Sequence, residues 1–326
     1  VDDRYEILDE LGKGGLGAGF KGYDRNLKRE VAIKRILPGA DEADREAGLK
    51  KLTEEAENLC ALQHPHIVTV YDVGSDKEGP FVVMELLTGN TLEELVENGP
   101  LTWVDFRELA LQTQEALIAA QEHHLVHRDI KPGTVMLTWR PSGKFQAKLV
   151  DFGLAKFSPR PTMQEIGEDD SVFGSIFFMA PEQFERKPLD ARTDMYAMGC
   201  VYYHSLVGAY PFDGKTGQEV MQAHLQHTLK PLHEMRADIP RWASDWVMWH
   251  MNREAGDRPP NAREALQQFI VNEQAPTQSQ AAAQPAPDPL ESKRRKLLIP
   301  GTTPEATPAA PAATPATPAT PAAATG

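Results

Sequence analysis

The chain has 326 residues, 41% of them hydrophobic, with 47 acidic against 34 basic side chains and a formal net charge of −13. That is enough to bury a substantial core in one large or two smaller domains, and the acidic balance argues against a nucleic-acid-binding surface, which is ordinarily basic. Cys60 and Cys200 are the only cysteines, too few for a disulfide framework or a thiolate metal site, so a reducing compartment, the cytoplasm, is expected.

From the start of the chain, YEILDELG and GFKGYD read as strands flanking a glycine cluster, VAIKRIL is rich in β-formers, and IVTVYDVG and FVVMELL extend a small sheet. Thr102 then caps a stretch whose apolar residues Phe106, Leu109, Ala110, Leu117 and Ala120 recur at helical spacing. From His127 onward helices dominate, and DMYAMGCVYYHSLVG is apolar on nearly every face, which predicts a helix buried in the middle of a second lobe. Past about residue 272 the composition turns to APTQSQAAAQPAPDPL and TPEATPAAPAATPATPATPAAATG, which cannot repay its ordering entropy and is expected to be a disordered linker or tail. The intervening KRRKLLIP, whose four cations suit anionic lipid or an acidic partner, reads first as a solvated linker charge run. The sequence has no apolar run of roughly 18 residues, so no membrane span is expected, and the acidic opening VDDRYEILDE does not suit a signal peptide.

Taken alone, GKGGLG at Gly12–Gly17 fits a dinucleotide fingerprint, a phosphate loop or a flexible turn. A dinucleotide fold would start a helix at the last glycine; AGFKGYD reads as strand instead, the hairpin arrangement in which glycine amides lie over phosphates. GKT at Gly214–Thr216 fails as a P-loop because Ala209 stands where the leading glycine belongs. His123, His124 and His127 lack a cysteine or carboxylate to complete a tetrahedral zinc set.

The ordered set GKGGLG, VAIK, HRDIKP, DFG and APE, within residues 4–270, resembles the bacterial, Hanks-type serine/threonine protein kinase family. The resemblance implies an α+β, two-lobed kinase-like fold: a small β-rich lobe over 1–87, a larger and mostly helical lobe over 88–270, and a disordered Pro/Ala/Thr-rich tail over 271–326. It implies transfer of the γ-phosphoryl group of ATP to Ser/Thr hydroxyls of protein substrates, with self-association where the substrate is another copy of the chain. Gly12, Gly14 and Gly17 would cover the phosphates. Lys34 would hold the α- and β-phosphates, braced by Glu55, with Glu54 and Glu57 as rivals on the same stretch. Met84 would be the gatekeeper, the backbone of Glu85 and Leu87 would read the adenine edge, and Ala32 and Met136 would form its apolar ceiling and floor.

In the same way the resemblance makes Asp129 the catalytic base, Lys131 a partner of the γ-phosphate in serine/threonine-type kinases, and Asp151 a ligand of Mg2+, with Mn2+ as an alternative. Ser175 would bond the catalytic Asp and Lys, Glu182 would pair with Arg258, and Asp194 would brace the catalytic loop. Arg128 would meet either a phosphate on Thr162 or Ser171 or the acidic run EIGEDD. Two positions depart from the family pattern. Thr134 stands where an asparagine helps to hold metal and ties down the loop, leaving a weaker metal ligand on a shorter arm. Gly19 stands where a valine covers the adenine, forfeiting roughly 1.5–3 kcal/mol of apolar contact. Two readings follow: an active kinase slowed at both positions, or a nucleotide-binding pseudokinase acting as a scaffold or allosteric partner.

Overall fold

The computed structural model describes residues 3–14, 17–36, 60–152 and 174–275. The fold is the two-lobed α+β arrangement expected from the motifs. Strands β1 (Tyr5–Gly14), β2 (Gly17–Asp24), β3 (Arg29–Ile36), β4 (Val70–Asp76) and β5 (Gly79–Glu85) form an antiparallel sheet in the order β1-β2-β3-β5-β4. Because side chains alternate along a strand, β3 sends Val31 and Ile33 to one face, where they meet Tyr5, Phe81 and Val83. Ile36 goes to the other, with Val68, Val82 and Met84, and Ala32, Leu87 and Val150 pack against that cluster. Ion pairs reinforce the sheet: Arg4 bonds both Asp24 and Asp72, and Tyr5 donates to Asp72 at 2.6 Å.

The second lobe begins with β6 (Asn90–Thr91) and α1 (Leu92–Val96), the latter opened by a capping box between Thr91 and Glu94. Helix α2 (Trp103–Glu122) is capped by Thr102 and buries Phe106, Leu109, Ala110, Leu117 and Ala120, the residues its spacing singled out. Strands β7 (Val135–Trp139) and β8 (Phe145–Leu149) complete a small sheet in the order β6-β7-β8. After α3 (Pro181–Phe184) comes α4 (Ala191–Val207), buried from Thr193 to Leu206 and closed by Gly208 in the left-handed conformation. It is the central helix that the sequence predicts.

Around α4 lie α5 (Gly217–Gln226), α6 (Leu232–Met235), α7 (Arg241–His250) and α8 (Ala262–Gln274). Helix α8 continues to Gln274, with Phe269 fully buried and Glu273 paired with Arg107 on α2. The tail expected beyond it falls, from residue 276, outside the described residues.

The lobes meet along β8. Val68 donates to the Leu149 carbonyl and Leu149 to that of His66, each at 2.9 Å, while Lys148 bonds the Glu85 carboxylate at 2.5 Å. This contact places the sheet face carrying Ala32 and Lys34 opposite Val150 and Asp151.

Candidate active site

Gly12 and Gly14 on β1 and Gly17 on β2 all take part in the pairing of the two strands, Gly12 with Gly19 and Gly14 with Gly17. At Gly17, φ is +138° and a Cβ would sit 1.7 Å from the Arg35 carbonyl oxygen, so no other residue fits there without moving β3. Ala32 pairs with Met84 across β3 and β5, and Met84 in turn pairs with Val70. The ladder ends at Glu85, whose N–H bonds the Thr69 carbonyl at 2.9 Å, and Leu87 follows in irregular backbone. Met136, on β7, pairs with Lys148.

Lys34 and Asp151 form a direct ion pair between Nζ and Oδ2, with side chains 16% and 17% exposed. Asp151 has a φ of +63°, an uncommon conformation for a residue with a Cβ, and this backbone turn delivers its carboxylate to the lysine. Phe152 is buried against the His127 ring, with centroids 4.6 Å apart.

The catalytic loop is held from below by Asp194 of α4. One carboxylate oxygen accepts from His127 N–H at 2.7 Å and the other from Arg128 N–H at 2.9 Å. Burial pushes the Asp194 carboxyl up, against the neighbouring His127 and these two donors. Arg128 is itself left-handed, at φ +73°, and its carbonyl accepts from Gln183 Nε2 at 3.1 Å. Past that turn, Asp129 and Lys131 pair at 3.1 Å, and Lys131 Nζ donates to Ser175 Oγ at 2.7 Å. Thr134 is buried. Its hydroxyl accepts from Lys131 N–H at 3.1 Å and donates to the Lys131 carbonyl at 2.9 Å, with the Asp129 carbonyl at 3.3 Å. The Thr134 carbonyl accepts from Val150 N–H at 3.0 Å, and the His127 ring bonds the Val150 carbonyl at 2.9 Å, so the catalytic loop is stitched to the residue before Asp151.

Behind the site, Glu182 and Arg258 form a forked ion pair with bonds of 2.7 and 2.8 Å, joined by the Thr193 hydroxyl at 2.9 Å. Burial would raise the Glu182 carboxyl, but the guanidinium and that hydroxyl outweigh it and hold it below its usual range.

The structure thus brings Lys34 to Asp151, and Asp129, Lys131 and Ser175 into one cluster. Glu55, Glu54, Glu57, Thr162, Ser171 and the EIGEDD run lie outside the described residues. Sequence reasoning missed two ties, Gln183 to the catalytic loop and Lys148 to Glu85. Gln183 carries a legible signal, since it stands three residues after Ala180, whose N–H its Oε1 accepts at 2.8 Å, at the opening of α3. Lys148 carries none, since a lysine in a strand normally reaches solvent.

A model of the protein kinase domain matches residues 5–271. The chain is 34% identical over 270 residues to a probable serine/threonine-protein kinase of Clostridium acetobutylicum, covering 82% of this chain and 40% of the relative. It is 33% identical over 244 residues to the serine/threonine-protein kinase PknB of Mycolicibacterium smegmatis, covering 73% and 38%. To the serine/threonine-protein kinase PrkC of Bacillus subtilis it is 30% identical over 281 residues, covering 84% and 42%. The match defines the class of domain, a protein kinase. More narrowly, the chain belongs to the bacterial, Hanks-type serine/threonine protein kinase family. It spans about two-fifths of the length of these relatives. Kinases of this class use ATP with a divalent cation, generally Mg2+. Among the described residues no helix is long and apolar enough to cross a membrane.

Proposed function

We propose that this chain transfers the γ-phosphoryl group of ATP to Ser or Thr hydroxyls of proteins, other copies of itself among them. The observation that carries the reading is the pairing of Lys34 with Asp151 where the lobes meet, stitched through Val150 to the loop that bears Asp129. The donor set fits a metal–nucleotide: an ammonium suits phosphate oxygens and a carboxylate suits a hard cation. Each group now neutralises the other, so binding exchanges one ion pair for two. The nucleotide and its cation supply the phosphoryl group and screen its charge. The protein's part is to orient and desolvate.

In that division, Gly12, Gly14 and Gly17 line the phosphates, and Ala32, Met84 and Met136 enclose the adenine beside the backbone of Glu85 and Leu87. Asp129 orients the acceptor hydroxyl and takes its proton, and Lys131, steadied by Ser175, faces the transferred group. Glu55 is the partner of Lys34 in the working state. The division near residue 87 is the hinge between these tasks. We place the domain in the cytoplasm, acting on protein and not on nucleic acid, from its two cysteines and its negative charge. Radiolabel transfer from ATP to the chain and to a generic protein tests the reading, with Asp151→Ala as control. Transfer lost in the variant supports it. A parent that binds nucleotide and transfers nothing would establish the pseudokinase alternative.

A further inference from the structure

We infer that this active site holds a single divalent cation, with Asp151 as its protein ligand and Thr134 as a positioning residue of the catalytic loop; the inference rests on the ATP-binding function proposed above. A threonine hydroxyl has one proton to donate and two lone pairs to accept with. In Thr134 the proton goes to the Lys131 carbonyl at 2.9 Å, with the Asp129 carbonyl behind it at 3.3 Å, and one lone pair takes the Lys131 N–H at 3.1 Å. Thr134 is 3% exposed, so water has little access to its side of these bonds. To turn toward a cation, the hydroxyl would have to abandon the Lys131 N–H, which would lose its partner, while the Lys131 carbonyl would keep only the Thr134 N–H at 2.9 Å.

An asparagine escapes this conflict because its amide divides the work between two atoms: the nitrogen donates to the loop while the oxygen stays free for a metal. Threonine has one oxygen for both tasks, and here its proton and one of its two lone pairs are committed to the loop, which fixes where the oxygen points. Asp129 is paired through Oδ2 with Lys131 at 3.1 Å, which balances its charge within the loop. Among the described residues no group of three or more His, Cys, Asp or Glu side chains could hold a metal by itself. A cation must therefore arrive with phosphate oxygens, and Asp151 is the carboxylate that Lys34 gives up to it.

Mn2+ binding to the full chain, saturated with a non-hydrolysable ATP analogue and counted by electron paramagnetic resonance, tests this. One bound Mn2+ per chain is expected for the parent. Thr134→Asn should add a second site, at least about tenfold tighter than any further ion on the parent. Thr134→Val, which keeps the branched shape, should leave the count and affinity of the first ion unchanged while the Lys131 amide exchanges at least about tenfold faster with solvent deuterium. Thr134→Ser should restore its protection. Two ions of similar affinity on the parent, or a tenfold loss of Mn2+ affinity in Thr134→Val, would overturn the inference and leave the proposed function standing. A parent that binds neither ion nor analogue would overturn both together.

Discussion

In the five-stranded sheet the apolar interior is divided, with Val31, Ile33, Phe81 and Val83 on one face and Ile36, Val68, Val82 and Met84 on the other. Charged clamps supply much of the rest, Arg4 across Asp24 and Asp72 and Arg35 forked on Asp76. In the helical region one core runs unbroken from Leu92 on α1 to Phe269 on α8. Its buried polar groups are knitted in pairs, Glu182 with Arg258, Thr113 with Tyr202, Tyr196 with His224. The active site draws Lys34 from the thinner part and Asp129, Lys131 and Asp194 from the thicker. Under the proposed function the division suits the chemistry: the lysine that would change partners sits on the sheet with the divided interior, and the loop that would hold the proton acceptor sits on the continuous core.

The contrast breaks if a lesion in one part has the signature of the other. The largest effect should come from Asp129→Asn, which removes the proposed proton acceptor: kcat should fall by about 10²–10⁴ with nucleotide affinity unchanged. Lys34→Met should lower nucleotide affinity by about 100-fold or more in a binding titration while the melting temperature barely moves, because in the proposed function the lysine anchors phosphate and it belongs to no core cluster. Glu182→Ala should do the reverse. It leaves the Arg258 guanidinium buried and unpaired, and should lower unfolding free energy by about 3–5 kcal/mol in denaturant titrations. A loss under about 1 kcal/mol would show that the helical core does not depend on that pair.

Gln183→Glu sharpens the picture at the joint between loop and α3. The glutamate still accepts from Ala180 N–H but can no longer donate to the Arg128 carbonyl. If that donor positions the catalytic loop, kcat falls about tenfold, about 1.4 kcal/mol, with little change in stability; an unchanged kcat would reduce Gln183 to a cap.

Acid should separate the two parts more gently. Burial pushes His224 down to about 3 and His250 to about 4, below the ordinary histidine value near 6.5. The unfolded chain therefore binds more protons in that interval, and the stability of the helical region, fully present above pH of about 6.5, declines as pH falls toward 4, by up to about 1.4 kcal/mol per unit for each histidine. In the sheet, Arg35 holds Asp76 down to about 2, so its contribution persists until pH drops below about 4. Thermal melts between pH 7.5 and 4.5 (approximate limits set by these values) should show the helical region, followed by its tryptophans, weakening first. The smallest effect belongs to Gly19→Val. A Cβ there meets only the Gly12 carbonyl at 3.7 Å and the Leu11 Cβ at 3.9 Å, so the side chain fits, and the KM for ATP should fall by about three- to tenfold with kcat unchanged.

The motifs made most of this site legible because phosphoryl transfer fixes both the residue types and their order along the chain. Lys34, Asp129, Lys131 and Asp151 are each named by a short local pattern, as are the cap of α2 and the buried helix α4. What the sequence could not show were contacts whose partners lie far apart and have no pattern of their own. Lys148 reads as an exposed strand residue and proves to be a tie to Glu85 across the lobes. Thr134 reads as a substituted metal ligand, and only the folded loop reveals that its hydroxyl is committed to the backbone of Lys131. The Arg107–Glu273 pair near the end of α8 is likewise a tertiary contact with no local pattern.

The left-handed backbone at Arg128 and Asp151 has a consequence for anyone engineering this domain for robustness. Such a conformation costs a residue with a Cβ about 1–2 kcal/mol, which glycine would recover. A design procedure scoring only folded-state energy would therefore nominate Arg128→Gly and Asp151→Gly among its first improvements. Asp151→Gly would leave Lys34 without its partner and remove the carboxylate on which the proposed function rests, so a thermostable variant of this domain should be sought in its surfaces and caps, with these two strained positions left as they are.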